Sequence, residues 1–179
     1  IAVLEASKDL VPEAVDFQVI HADDECIVVD KPVGLVVHPG AGNPGQTLAN
    51  GLIYKFPELS ALPRAGLIHR LDKNTSGLLV VARTSHAFQR LTSDMAARRI
   101  KRIYDALANG QFITGGSINE PIGRDPTNRT RMVVRGGGRN AITHYAIVAK
   151  FRVHTHLEVQ LETGRTHQIR VHLAHIGHP

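Results

Sequence analysis

The chain of 179 residues has one cysteine, Cys26, so no internal disulfide can brace it. Cys26 sits in an apolar run, where a buried, inert thiol is expected. No apolar run approaches the ~20 residues that a membrane span requires. No signal peptide is visible, and since the sequence starts at Ile1 removal of a leader stays open. There is no internal repeat, and no linker composition after residue 16. Acidic residues are scarce beyond residue 60: residues 61–120 carry nine Lys/Arg against four Asp/Glu, and residues 121–179 nine against three. Residues 1–60 are the reverse, with three against nine. The overall charge of +5 therefore hides a strongly basic, mostly arginine-rich remainder. Such one-sided charge suits a polyanionic partner, although a solvated basic face is the plain alternative.

With 42% hydrophobic residues the chain can bury a core. Residues 1–16 are acidic, weakly patterned and read as a linker or peripheral segment, and a single domain is expected over 17–179. Alternation predicts strands at Phe17–His21, Cys26–Val29 (stopped by Pro32), Gly34–Val37, Lys101–Ala108, Ala141–Ala149 and Val153–Leu161. Helical spacing predicts helices over Gln46–Phe56, capped by Thr47, over Thr84–Arg99 with Phe88, Leu91 and Met95 on one face, and over about Thr166–Ile176 with Ile169, Leu173 and Ile176 as its apolar face. Pro57–Arg64 reads as a polar loop. Strands and helices mix without regular alternation, so the fold class is α+β, a mixed, mainly antiparallel sheet flanked by helices, not a doubly wound parallel fold.

The stretch Gly66–Arg83 sets the cluster His69-Arg70-Leu71-Asp72-Lys73 directly before the apolar run Leu78–Ala82, which reads as a buried strand. Charges at such an edge cost free energy unless they are paired or used. A structural ion pair is one reading and a working carboxylate the other. The turn Asn74–Gly77 follows and can fix the loop.

This stretch resembles the signature of the RluA-type pseudouridine synthases, H-R-L-D-x-x-T-S-G-L, complete here as His69, Arg70, Leu71, Asp72, Thr75, Ser76, Gly77 and Leu78. Two further segments resemble the same family. Lys101–Ala106 is similar to its K-x-Y-x-A segment, with Lys101 three before Tyr104 and Arg102 taking the place two before it. Leu161–Arg170 is similar to its G-R-x-H-Q-[IL]-R segment, through Gly164, Arg165, His167, Gln168, Ile169 and Arg170. The resemblance runs from about Val15 to Pro179. The pieces His38–Pro44, Glu120–Arg124, Thr143–Tyr145 and Phe151–Thr155 look closest to the subgroup acting on large-subunit ribosomal RNA.

What the resemblance implies is an isomerase with the pseudouridine synthase catalytic fold. It would turn specific uridines of large-subunit ribosomal RNA into pseudouridine, without cofactor or metal, and act in the cytoplasm as a monomer away from any membrane. Other RNA sites, transfer RNA, or a non-catalytic RNA-binding module are the alternatives. The reaction breaks the C1′–N1 bond and joins C1′ to C5 of the same uracil, so a carboxylate beside C1′ is the natural stabiliser. The resemblance makes Asp72 that carboxylate, as nucleophile or as a base on the sugar. It implies Arg165 as the partner of that carboxylate, and Tyr104 as a ring to stack on uracil and a hydroxyl to move the C5 proton. Base flipping is expected, with Arg70 propping the gap. Lys73, Arg124, Arg129, Arg131, Arg135 and Arg139 suit RNA phosphates, a solvated arginine hairpin being the alternative for the last five. Asp105 adjoins Tyr104 but points to the other face of its strand. A metal reading of His167, His172, His175 and His178 is disfavoured, because no cysteine or convergent carboxylate accompanies them. The resemblance further implies that this chain is a piece lacking an S4-like RNA-binding domain ahead of it and the family's last strands and helix after it.

Overall fold

The computed structural model describes residues 10–128 and 130–179. The α+β class and the antiparallel pairing hold: every strand pairing among the described residues is antiparallel. The chain divides into two compact units, residues 1–99 and 100–179.

The first unit carries a three-stranded sheet in the order β1 (Gln18–Ala22), β2 (Cys26–Lys31), β3 (Gly77–Ala82). Strict alternation along β2 sends Ile27, Val29 and Lys31 inward. On β3, Leu79, Val81 and Ala82 are buried, but Leu78 is 59% exposed, so the run is one-sided and not buried throughout. Helix α1 (Leu48–Lys55) buries Leu48, Leu52 and Ile53, as the spacing predicts. Thr47 sits at its N-cap, where its amide and its hydroxyl both donate to Asn50 Oδ1, at 3.1 and 2.5 Å. The strand expected at Gly34–Val37 is absent. Gly34 turns at φ +88°, and the Val36 and Val37 carbonyls accept from Leu48 and Ala49, the open N–H groups at the start of α1. Residues 10–17 form no helix and only reach β1 at their end, yet Asn50 Nδ2 donates to the Val11 carbonyl at 2.8 Å.

The expected loop at Pro57–Arg64 is instead a short 3-10 turn, Pro57–Ala61, opened by its proline, and a second turn, Pro63–Gly66, in which Arg64 and Ala65 are left-handed at φ +52°. Gly66 ends the second at φ +76°, and a Cβ there would lie 2.1 Å from the Ala82 carbonyl oxygen. That closeness lets Leu67 bridge to Val81 and starts the segment leading to Asp72 along β3. Gly66→Ala should therefore cost about 2–4 kcal/mol, through strain and a backbone clash, read as a lowered urea midpoint. Helix α2 (Ser85–Ala96) is capped by the Thr84 hydroxyl, which accepts from the Ala87 amide at 3.1 Å. Phe88 is buried and Leu91 packs beside it. The helix stops three residues earlier than expected: Arg98 turns left-handed at φ +59°, and Arg99 folds back to donate from Nε to Asp94 Oδ1 at 2.8 Å.

The second unit carries a four-stranded sheet in the order β4 (Arg102–Asn109), β9 (His154–Leu161), β8 (Ile142–Lys150), β5 (Gly116–Asn119). A ribbon of β6 (Ile122–Arg124) and β7 (Met132–Val134) adjoins it in sequence. Ala108, Phe112, Ile118, Leu157, Val159, Leu161 and Leu173 form the core of this unit. Helix α3 (Gln168–His175) packs there through Leu173 and Ile169. Its expected apolar face needs correction: Ile176 lies past the helix end and is 36% exposed, while Gln168 and His172 are buried. The buried side of α3 is half polar, and its polar groups are satisfied in detail, as described next.

Candidate active site

Asp72 is half-buried in the loop between buried Leu71 and the turn at Lys73-Asn74. Three backbone and ring contacts shape that loop. The Val80 amide donates to His69 Nε2 at 3.1 Å, which ties the start of the cluster to β3 and places the ring proton on Nδ1. The Thr75 amide donates to the Asp72 carbonyl at 3.1 Å, closing the turn. The Gly34 amide donates to the Lys73 carbonyl at 2.8 Å. Arg70 and Lys73 are exposed on either side of Asp72. Arg64, not singled out in the sequence, lies near enough to Arg70 to matter: lost hydration and then the Arg70 charge push its guanidinium pKa down. Two guanidinium groups crowded in this way suit an anion between or beside them.

Lys31 is the other residue that sequence reasoning passed over. Its side chain is fully buried at the end of β2. The signal was present: Lys31 continues the inward phase of Ile27 and Val29, just before Pro32.

Tyr104 lies on β4 opposite Val159, half-buried, with its ring against the core of the second unit. Tyr145 of β8 faces the same Val159 from the other side. Asp105 points to the opposite face, as alternation requires, and its carboxylate is 2.6 Å from His156 Nε2. Arg165 is half-buried ahead of α3 and donates from Nε to the Asn140 carbonyl at 2.9 Å. Its amide donates to Gln168 Oε1 at 2.9 Å, and the Thr163 hydroxyl donates to the same oxygen at 2.9 Å. Gln168 Nε2 donates to the Ile142 carbonyl and to Thr143 Oγ1, at 3.0 and 2.9 Å. His172 Nε2 donates to the Glu120 carbonyl at 3.0 Å, so its Nδ1 accepts from the Thr143 hydroxyl at 2.8 Å. The turn before α3 reaches this arrangement through His167 at φ +57°.

Burial pushes the His172 pKa down, the Glu120 carbonyl that accepts from it pushes it up, and His175 pushes down again. The sign follows from linkage. A histidine lowered on folding binds fewer protons folded than unfolded, so its contribution is complete above the unfolded value near 6.5 and is lost as pH falls below it. Stability should therefore drop between about pH 7 and 5, with a shallower slope in His172→Gln, measured by urea unfolding at each pH.

The structure places Arg124, Arg131, Arg135 and Arg139, all exposed, on and around the β6–β7 ribbon; Arg129 lies outside the described residues. Arg135 Nη1 donates to the Arg124 carbonyl at 3.1 Å, and Ile122 bridges to Arg139. The Asp125 carboxylate accepts from Thr127 and Asn128 and is held below the usual carboxylate range by these bonds. Arg70, Asp72 and Lys73 thus share one loop of the first unit, and Tyr104, Arg165 and the arginine ribbon belong to the second.

Among the described residues, one group could hold a metal ion: His21, Asp23 and Cys26, with ligand atoms within 4.8 Å of one another. It sits at the Cys26 end of β2, opposite the end that carries Lys31. Asp23 Oδ1 there already accepts from the Glu25 and Cys26 amides. Cys26 is half-buried, less than its apolar run suggested, and burial and then Asp23 raise its thiol pKa. His172 spends both ring nitrogens on protein partners, which removes it from a histidine metal cluster. No helix among the described residues is long and apolar enough to cross a membrane.

The family model for RNA pseudouridylate synthase matches residues 25–175. The chain is 51% identical over 177 residues to the ribosomal large subunit pseudouridine synthase D of Xanthomonas campestris pv. campestris, covering 99% of this chain and 54% of that protein. It is 52% identical over 168 residues to the synthase D of Haemophilus ducreyi, covering 94% and 52%. The chain spans about half the length of the curated relatives it matches. Among solved structures, Human RNA Pseudouridylate Synthase Domain Containing 1 superposes with a TM-score of 0.74 at 26% identity, over 92% of this chain and 66% of that one. Human RNA Pseudouridylate Synthase Domain Containing 4 gives 0.70 at 27%, over 90% and 65%.

Proposed function

Because the chain belongs to the RNA pseudouridylate synthase family, we propose that it isomerises uridine to pseudouridine in large-subunit ribosomal RNA. The observation that carries the reading is the match over residues 25–175, which takes in the Asp72 loop, the Tyr104 strand and the Arg165 turn together. The ribosomal substrate is supported by the names of relatives that are 51–52% identical.

The chemistry needs no outside group. The C1′–N1 bond breaks, the uracil turns, C1′ joins C5, the C5 proton leaves and N1 gains one. Asp72 is the carboxylate at C1′. Arg165 offers a planar guanidinium whose paired donors suit a carboxylate. Tyr104 supplies a ring face for the base and a hydroxyl for the proton at C5. The exposed arginines of the β6–β7 ribbon, with Arg64, Arg70 and Lys73, bind phosphates and help to hold the nucleotide out of its stack. Residues 17–179 together act as the catalytic domain, in the cytoplasm and as a monomer.

The test is to incubate unmodified large-subunit ribosomal RNA with the full-length protein and map pseudouridine by carbodiimide modification and primer extension. New, discrete stops support the proposal. Stops on transfer RNA alone move the substrate, and RNA binding without stops on either RNA refutes the enzymatic reading.

A further inference from the structure

The turn between β1 and β2 gathers three side chains that the isomerisation does not use. His21, Asp23 and Cys26 bring a ring nitrogen, a carboxylate oxygen and a sulfur within 4.8 Å of one another. His21 Nε2 lies 3.0 Å and Cys26 Sγ 3.6 Å from Asp23 Oδ2. Such ligands around tetrahedral zinc, at bonds of about 2.0–2.3 Å, stand about 3.3–3.6 Å apart. A β-bulge makes the convergence possible. The pairing of β1 with β2 slips by one residue between Val19 and His21, so that His21 faces Val28. In the unslipped register it would face Ile27, whose side chain is buried. The extra residue thus moves His21 to the outward face that Val28 shares with Cys26.

Asp23 is held ready as a ligand. Its Oδ1 accepts from the Glu25 and Cys26 amides at 2.8 and 2.7 Å, which orients the carboxylate and leaves Oδ2 toward His21 and Cys26. Arg83 Nη1 donates to the Asp23 carbonyl at 2.7 Å and fixes the turn beside the end of β3. The cations nearby are engaged elsewhere, Arg83 with Glu58 and Arg90 with Glu25. After burial, it is the charges of Asp23 and Glu25 that raise the Cys26 thiol pKa, and a cation answers that same negative charge.

We propose that His21, Asp23 Oδ2 and Cys26 Sγ bind one zinc ion, with water as the fourth ligand, and so staple the β1–β2 hairpin. Binding replaces the thiol proton, which leaves to solvent, and requires a neutral imidazole. The ion takes no part in the isomerisation: the site is at the Cys26 end of β2, whereas the Asp72 loop leads into β3 at Gly77, which pairs with Lys31 at the other end.

The test uses the full-length protein, freed of metal by a chelator, with cobalt as the probe. A thiolate ligand gives cobalt a charge-transfer band in the near ultraviolet. The part of that band that Cys26→Ser removes should saturate at one equivalent, and zinc should bleach it. His21→Ala and Asp23→Asn should each weaken this binding at least about tenfold; the asparagine keeps Oδ1 for the two amides. A second measurement needs no variant: X-ray absorption at the zinc edge of the natural protein should show one sulfur neighbour among nitrogen and oxygen. A band that forms only in large excess of cobalt, or that survives unchanged in His21→Ala and Asp23→Asn, marks an adventitious ion only and overturns the proposal. So does a zinc shell without sulfur, or the absence of any band that depends on Cys26.

Discussion

Asp72→Ala should abolish pseudouridine formation, by at least about 10⁴-fold, while the variant still folds and still binds RNA within about threefold. The size follows from the task. A group that meets an electron-poor C1′ acts only as the bond breaks, so its loss falls on the chemical step and not on binding. Folding should survive because backbone and ring bonds hold the loop: the Thr75 amide bonds to the Asp72 carbonyl, and His69 and Lys73 make their own contacts to β3 and to Gly34. Alanine keeps those bonds. Single-turnover assay, filter binding and thermal unfolding on one preparation would check all three. A variant that is folded, binds RNA and still turns over would remove Asp72 from the reaction.

Tyr104→Phe should slow turnover by about 10²–10³-fold, the range for loss of a positioned acid–base group. The exchange isolates the hydroxyl. The ring lies half-buried on the inner side of β4, and Phe keeps its shape against that core. The base should therefore still stack, and RNA affinity should hold. The chemical signature is a stall before the C5 proton leaves, read with RNA tritiated at C5 of uridine as slowed tritium release. A Phe variant at full rate would leave Tyr104 as a core residue with a stacking role alone.

Much of the fold was legible from periodicity because it rests on one-sided burial. The β2, β4 and β9 strands alternate cleanly, β8 does so with a break at His144-Tyr145, and α1 buries the face that its leucines mark. The failures have physical causes. Val36 and Val37 are apolar and β-branched, but their carbonyls serve the start of a helix, which no side-chain pattern records. Ile176 keeps helical spacing with Ile169 and Leu173, but the helix has already ended. The buried places at α3 go to Gln168 and His172, because the turn before it carries hydrogen-bonding groups that need internal partners. Charges before a strand drew attention to the Asp72 segment but left a structural ion pair open; it, like the Tyr104 and Arg165 segments, was singled out only through resemblance to a family. Lys31 and Arg64 escaped because a single lysine or arginine looks like surface until its surroundings are known.

The bonds among Thr143, Thr163, Gln168 and His172 also bear on how this chain can change over time. Each polar atom in that set has one assigned direction: the Thr143 hydroxyl gives to His172 and takes from Gln168, and Gln168 takes from Thr163 and from the Arg165 amide. Replacing any one of the four strands a partner in a dry interior, at a cost of about 1–3 kcal/mol. A second replacement that removes the stranded partner would recover part of that loss. These positions should therefore accept change in sets and resist it singly, so that the order in which substitutions arrive decides whether the intermediate chain folds.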